Sequence, residues 1–342
     1  MVDARSDPPY GPFASNRQRP KKKLIRMSNV TFHDLHPTLD NIKMEVLNGL
    51  SSQPKVIPPK FFYDHDGSLL FDRITELPEY YPTRAEIAIL GEHGDEMASL
   101  LGEECFLLEL GSGSSKKIRL LLDALQPVIY MPMDISKKHL LQSSEILGAE
   151  YPDLEIHATC VDYSKDFQLP YSPGRKCKAA FFPGSSIGNF EPLQAGKLLQ
   201  QIARLLGKGG ALLIGVDLEK EPKYLHAAYN DAQGVTAAFN LNLLTRINRE
   251  LKANFQLSHF KHHAFYNEKQ GRIEMHLVSG ASQEVNIGER TFAFAEGETI
   301  HTENSYKYTL KQFHQLATDA GFRVEQVWLD SARLFSVHCL RA

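Results

Sequence analysis

The sequence predicts an α/β fold, a mostly parallel sheet wound on both faces by helices, with a second α+β lobe attached. Three observations predict it. Phe106-Leu107-Leu108-Glu109-Leu110 is an apolar run bounded by glycine, too short to stand alone as a helix, and reads as a buried strand. Gly111-Ser112-Gly113 then permits a tight turn and close backbone approach by a ligand, and Ile118, Leu121, Leu122 and Leu125 follow at helical spacing. This strand, turn and helix alternation repeats as far as Asp217, after which the pattern changes to hairpin-like segments.

Composition sets the limits. The chain has 342 residues, enough for one large domain or two ordinary ones, and an apolar content of 42% supplies a core. A formal net charge of −3 argues against nucleic acid or an anionic membrane as an obligatory partner. Cys105, Cys160, Cys177 and Cys339 form no C-x-x-C pair and suit a reducing cytoplasm. No run of about 18 apolar residues is present to span a bilayer.

Taken in order, residues 1–28 are rich in proline, arginine and lysine, include Lys21-Lys22-Lys23, and lack the apolar core of a secretory signal. They are expected to form a disordered tail, with Met27 an alternative start and a basic recognition arm the functional alternative. An amphipathic helix is predicted over 36–50, on the apolar positions Leu39, Ile42, Met44, Val46, Leu47 and Leu50. Pro54, Pro58 and Pro59 break it. The aromatic-rich stretch 60–86 reads either as a wedge packing one lobe on the other or as tyrosines facing a ligand; chemistry alone favours the wedge.

A helix is predicted over 86–101. The strand 128–133 ends at Asp134, 21 positions after Gly113, where a carboxylate can accept from both hydroxyls of a ribose. The strand 154–161 ends at Asp162, placed to meet an adenine amino group. Residues 178–182 form a fourth strand that runs into Pro183-Gly184-Ser185-Ser186-Ile187-Gly188-Asn189. Glu109, Asp134, Asp162 and Asn189 would then line one edge of the sheet. A helix over 193–206 and a glycine-rich turn lead to the fifth strand, 211–217. Beyond it come a long helical stretch, 224–251, and strand-like segments at 255–266, 272–279 and 291–294. A helix at 310–320 and strands at 322–329 and 334–340 close the sheet. His259, His262 and His263 alternate between strand faces and make a poor ligand set even with His276 nearby, so no metal is expected.

The glycine turn narrows the chemistry. A dinucleotide fingerprint needs a third glycine where Lys116 stands, and the P-loop pattern is absent. Glu109-Leu110-Gly111-Ser112-Gly113 instead resembles motif I of the S-adenosylmethionine-dependent methyltransferases. From about His36 onward the chain resembles the L-histidine Nα-methyltransferases of ergothioneine biosynthesis. The strings that carry this are Pro58-Pro59-Lys60-Phe61-Phe62-Tyr63-Asp64, residues 71–86, 108–113 and 184–189, Gly234-Val235-Thr236-Ala237-Ala238-Phe239-Asn240, Arg272-Ile273-Glu274-Met275 and Thr302-Glu303-Asn304-Ser305.

The resemblance implies a Rossmann-like class I methyltransferase sheet, at 85–218 and 308–342, and a second α+β substrate-binding domain, at 29–84 and 219–307. It implies S-adenosylmethionine as methyl donor, without a metal, contacted by Gly111, Lys117, Asp134 and Asp162. It places Tyr80, Asn189 and Tyr229 on the amino and carboxylate groups of L-histidine, with Tyr63 near the amine and, through water, the imidazole. Glu303 and Ser305 would read the imidazole, with Phe239 and Met275 as apolar walls. The implied reaction is trimethylation of the α-amino group to histidine betaine (hercynine), the first step of ergothioneine biosynthesis.

Methyl transfer is an in-line displacement, so the site mainly has to position an unprotonated amine. Asn189 would accept from that amine, and its proton would leave to water or to Tyr63. Glu303 and Ser305 would pair both ring nitrogens, and a site that pairs polar groups rejects analogues by ~10⁴-fold. Related ergot-alkaloid enzymes methylate a prenylated tryptophan, so another aromatic amino acid is the alternative substrate; Glu303 and Met275 beside Tyr80 point to histidine. A binding protein without turnover is the alternative class, and Asn189 argues against it. With no dimerisation stripe, a monomer is expected.

Overall fold

The computed structural model describes residues 25–342, apart from positions 28, 36, 103, 114, 175 and 176. The chain opens with β1 (Ile25–Met27), β2 (Val30–Leu35), α1 (Leu39–Ser51), β3 (Lys55–Val56), α2 (His65–Glu76) and α3 (Tyr81–Leu101). The alternating part follows as β4 (Phe106–Leu110), α4 (Lys116–Leu125), β5 (Ile129–Asp134), α5 (Lys137–Glu150), β6 (Glu155–Val161), β7 (Lys178–Phe182), α6 (Pro192–Leu206) and β8 (Ala211–Asp217). Then come α7 (Pro222–Tyr229), α8 (Val235–Leu251), β9 (Phe260–Asn267), β10 (Arg272–Ser279), β11 (Gln283–Ile287), β12 (Arg290–Phe294) and β13 (Thr299–Tyr306). The chain closes with α9 (Leu310–Asp319), β14 (Arg323–Leu329) and β15 (Phe335–Arg341).

Nine strands form the large sheet, in the order β1-β2-β6-β5-β4-β7-β8-β15-β14. Pairing is parallel from β2 through β8, and antiparallel where β15 meets β8 and β14. Every residue of β4 and β8 is buried, as expected for central strands covered on both faces. One face packs Ile89, Met97, Ile118 and Leu122 of α3 and α4; the other packs Leu199, Ile202, Phe313 and Ala317 of α6 and α9. A third apolar cluster gathers α1, α2, α7 and α8 around a four-stranded sheet of order β3-β13-β10-β9.

The structure corrects four sequence-based boundaries. Residues 1–24 of the expected tail lie outside the described residues, but Ile25–Met27 is a strand, paired antiparallel with the otherwise open outer edge of β2. Residues 30–35, expected in the second lobe, form β2 of the large sheet, where Val30 and Phe32 are buried beside β6. The helix expected from 86 begins at Tyr81, because Pro82 in its first turn needs no hydrogen-bonded N–H. The helical stretch 224–251 is two helices. Asp231 accepts from the backbone N–H groups of Val235 (2.9 Å) and Thr236 (2.8 Å), and Gly234 takes φ 70°, so the chain stops after Tyr229 and restarts.

The ladder between β10 and β13 contains one irregularity. Glu303 lies opposite Met275, yet His301 lies opposite His276, so Thr302 is an extra residue bulged out of the ladder. Its hydroxyl bonds the Met275 carbonyl (3.0 Å) and Asn240 Oδ1 (2.8 Å). The bulge turns Glu303 to the sheet face opposite His301, although two positions along a regular strand would share a face.

The turn Ser186–Asn189 packs directly on β13: a Cβ at Gly188 would sit 2.7 Å from the Tyr306 carbonyl oxygen. Gly188→Ala is therefore expected to push this turn off the strand, costing about 1–3 kcal/mol in urea unfolding. Wild-type stability in that variant would show that the contact is not close-packed.

Candidate active site

The parallel strands stop at one edge of the large sheet, and a cavity of about 720 Å³ opens there, the position where open α/β sheets take their ligands. Gly111 holds φ 73°, and a Cβ on it would stand 3.1 Å from the Tyr163 hydroxyl, so the turn lies bare against the cavity. Asp134, ending β5, accepts from Ser136 N (2.8 Å) and Gly113 N (3.2 Å), which ties it to the glycine turn; burial pushes its carboxyl up. Asp162, just past β6, accepts from Lys60 Nζ (2.8 Å) and Ser164 N (3.1 Å). Burial would raise it, but the bonds from Lys60 and Ser164 outweigh that and hold it low. Lys117 pairs at 2.6 Å with the fully buried Glu86, which also accepts from Gly184 N at 2.9 Å. Glu109 is buried under a hydrogen bond from Tyr130, and burial pushes its carboxyl up to about 8.

A second, smaller cavity of about 50 Å³ adjoins the first, lined by Tyr229 from α7, Phe239 from α8, Met275 from β10 and Glu303 and Ser305 from β13. Tyr63, Tyr80 and Asn189 line both cavities. Tyr63 is held by edge contacts to Phe71 and Phe239, each with ring centroids 5.7 Å apart, and Phe239 packs on Phe62 at 4.5 Å. Burial raises the phenols of Tyr63, Tyr80 and Tyr229 well above their usual range, so all three are neutral donors at pH 7. Burial also pushes the Glu303 carboxyl up to about 8, against the opposing pull of Lys307.

Gly111, Lys117, Asp134 and Asp162 thus face the larger cavity, and the eight substrate-side residues named from the sequence face the smaller. Four residues at or behind these walls escape the sequence reading. Asp217 ends β8 as Asp134 ends β5, so the strand-end rule that finds the others applies to it equally. Lys307 sits two residues beyond Ser305, and Glu86 closes an aromatic-rich stretch; neither carries a spacing signal. Phe71 is visible in sequence only as part of that stretch. On the opposite face of the small sheet, Glu274, His276 and His301 bring ligand-type atoms within 4.8 Å of one another. Glu274 is already engaged there by Arg272 and Asn267.

A family model described as a SAM-dependent, histidine-specific methyltransferase matches residues 42–342. The chain belongs to this histidine-specific methyltransferase family. It is 41% identical over 302 residues to the histidine N-alpha-methyltransferase of Mycolicibacterium smegmatis, covering 86% of this chain and 93% of that one. Ergothioneine biosynthesis protein 1 of Neurospora crassa is 31% identical over 84% of this chain, which spans 34% of that protein. The 4-dimethylallyltryptophan N-methyltransferase of Claviceps purpurea is 28% identical over 84% of this chain and 91% of its own length. For a histidine-specific methyltransferase the two joined cavities supply what the chemistry needs, a cofactor-sized chamber and a polar-lined pocket meeting at one mouth.

The raised carboxyls give a signed pH dependence. Glu303 keeps its proton in the folded, ligand-free protein up to about 8, whereas an unfolded Glu loses it near about 4.3. Between those values the folded state binds the extra proton, so stability falls as pH rises through the window. Glu303→Gln is expected to flatten the decline in unfolding free energy between pH 5 and pH 8, by on the order of a few kcal/mol. Urea unfolding at both pH values measures it, and an unaltered slope would mean that Glu303 is solvated.

Proposed function

We propose that this chain transfers three methyl groups from S-adenosylmethionine to the α-amino group of L-histidine, giving histidine betaine, the first step of ergothioneine biosynthesis. The observation that carries this reading is the shared lining: Tyr63, Tyr80 and Asn189 stand where the cofactor-sized chamber and the polar pocket meet. The family membership supports the substrate.

The larger cavity fits the donor. Gly111 offers bare backbone, Asp134 a strand-end carboxylate for a ribose, Asp162 a carboxylate for an exocyclic amine and Lys117 a cation for a carboxylate. The bound donor supplies an electrophilic methyl on a sulfonium. The protein's own part is to hold an unprotonated amine in line with it. The Asn189 amide oxygen accepts from the amine while leaving its lone pair free. Tyr80 donates to the α-carboxylate, and Tyr229 lines the same pocket with its own proton directed to Ser305. Tyr63, a neutral phenol at the mouth, serves as a hydrogen-bond partner of the amine, whose proton leaves to water. Glu303 and Ser305 hold the imidazole between Met275 and Phe239.

We assign the cofactor to 85–218 and 308–342, with β2 added to that sheet, and the amino acid to the unit built from α1, α2 and residues 219–307. Both cavities are lined by one chain, which supports a monomer. Four free cysteines support a reducing, cytoplasmic setting. No helix among the described residues is long and apolar enough to cross a membrane.

Mass spectrometry after incubation with S-adenosylmethionine and the twenty free amino acids tests the reading: histidine should gain three methyl groups. Methylation of tryptophan or tyrosine instead would keep the cofactor chamber and overturn the substrate. Glu303→Ala should lower kcat/KM for histidine by at least ~10²-fold, because the imidazole N–H loses its buried acceptor, and should admit larger aromatic rings. Unchanged histidine kinetics would put the imidazole elsewhere.

A further inference from the structure

Behind the smaller cavity lies a buried charged cluster that methyl transfer does not by itself require. Asp217 is 2% exposed and pairs with Lys307 Nζ at 2.7 Å and with Lys220, while Tyr81 donates to both its oxygens at 2.8 Å. Burial would raise the Asp217 carboxyl, but Lys307 and Lys220 hold it below its usual range. Lys307, 3% exposed, also donates to Ser305 Oγ at 2.7 Å and to Tyr229 Oη at 3.3 Å. Tyr229 Oη in turn lies 2.7 Å from Ser305 Oγ.

The donor count narrows the polarity. A lysine ammonium has three N–H groups and no lone pair, so every hydroxyl beside it must meet it with oxygen. Its three N–H groups are used on Asp217, Ser305 and Tyr229. The count leaves two directions for the bond between the hydroxyls; taken from Tyr229 to Ser305, it fills the second lone pair of the serine. The one proton of Ser305 is then left to point into the cavity that Glu303 also lines.

We infer that Lys307, anchored by Asp217, fixes Ser305 as an obligate hydrogen-bond donor and so makes the pocket select a neutral imidazole with its bare nitrogen on Ser305 and its N–H on Glu303. The inference rests on the histidine reading and deepens it. Lys307 is a positioning residue, acting through Ser305. Without it the serine hydroxyl accepts as readily as it donates, and either tautomer, or the imidazolium, fits. The ionisable groups around it are Asp217 on β8, Lys220, Tyr80 and Tyr81 at the start of α3, Tyr229 on α7 and Glu303 on β13.

A Ser305 that can only donate obliges Glu303 to accept, and an ionised carboxylate is the stronger acceptor for the ring N–H, so binding of the ring favours loss of the carboxyl proton. Trimethylated histidine isolates this step because its α-nitrogen no longer titrates. Calorimetry at pH 7 in two buffers of different ionisation enthalpy should show release of close to one proton by the wild-type protein and much less by Lys307→Met. Equal release would overturn the inference.

Affinities for histidine and for 2-thienylalanine, an isosteric ring with no nitrogen, test the same point, and their ratio on one sample cancels any loss of folded protein. The ratio should fall about tenfold in Lys307→Met, recover in Lys307→Arg, and change no further when Lys307→Met is added to Ser305→Ala. A ratio unchanged in Lys307→Met, or a second full drop in the double variant, would overturn it. A wild-type protein that does not prefer histidine would instead remove the functional reading itself.

Discussion

The structure depends on one buried carboxylate. Asp217 stands where β8 runs out of the large sheet, and two lysines, a tyrosine and two backbone segments converge on it. Its own N–H is taken by Ser185 Oγ at 2.8 Å, from the turn after β7, and its carbonyl by Tyr308 N at 3.1 Å, just past β13. A charge this deep is tolerable only with its partners in place, and losing one partner of such a pair costs about 3–5 kcal/mol. The edge of one sheet and the end of the other are therefore locked in one arrangement, with the smaller cavity in front of the lock.

The two cavities divide the physical work. The larger is built from backbone and strand-end carboxylates, groups whose positions follow from sheet geometry alone. The smaller is built from side chains on elements far apart in sequence, held by packing. Phe71 and Phe239 brace the Tyr63 ring, and Phe62 backs Phe239, so the Tyr63 hydroxyl has little freedom to swing. Glu86 connects the two: it holds Lys117 at the larger cavity and, through Gly184, the turn that presents Asn189.

Much of the larger cavity is legible in the sequence, because Gly111, Asp134 and Asp162 announce themselves locally, as a glycine after an apolar run or an acid at a strand end, while Lys117 comes only from the family resemblance. Asp217 obeys that same rule, but its role lies behind the smaller cavity, where strand ends give no guide to chemistry. The break between α7 and α8 is written in Asn230, Asp231 and Gly234, yet apolar periodicity on both sides hides it. The smaller cavity is another matter. Tyr229, Phe239, Met275, Glu303 and Ser305 come from family resemblance, since they sit on four separate elements and no local pattern brings them together. Lys307 has neither pattern nor motif, and Glu86 appears in the sequence only as the last residue of the string 71–86. The N-terminal strand β1 reads as tail because three residues are too few to show a period before a partner edge is known.

The bulge at Thr302 is the least legible feature and the one with the widest reach. Upstream of it β13 shows His301 to the outside of the small sheet; downstream it shows Glu303 and Ser305 to the inside. A chain that took Thr302 into the ladder as an ordinary residue would keep its composition, its length and nearly all its ladder bonds. It would then have a choice of frames, one with Glu303 and Ser305 lost to the exterior, the other with His301 turned into the core. The lining of the smaller cavity is thus stored partly as a reading frame, open to change by a slip of register as readily as by replacement.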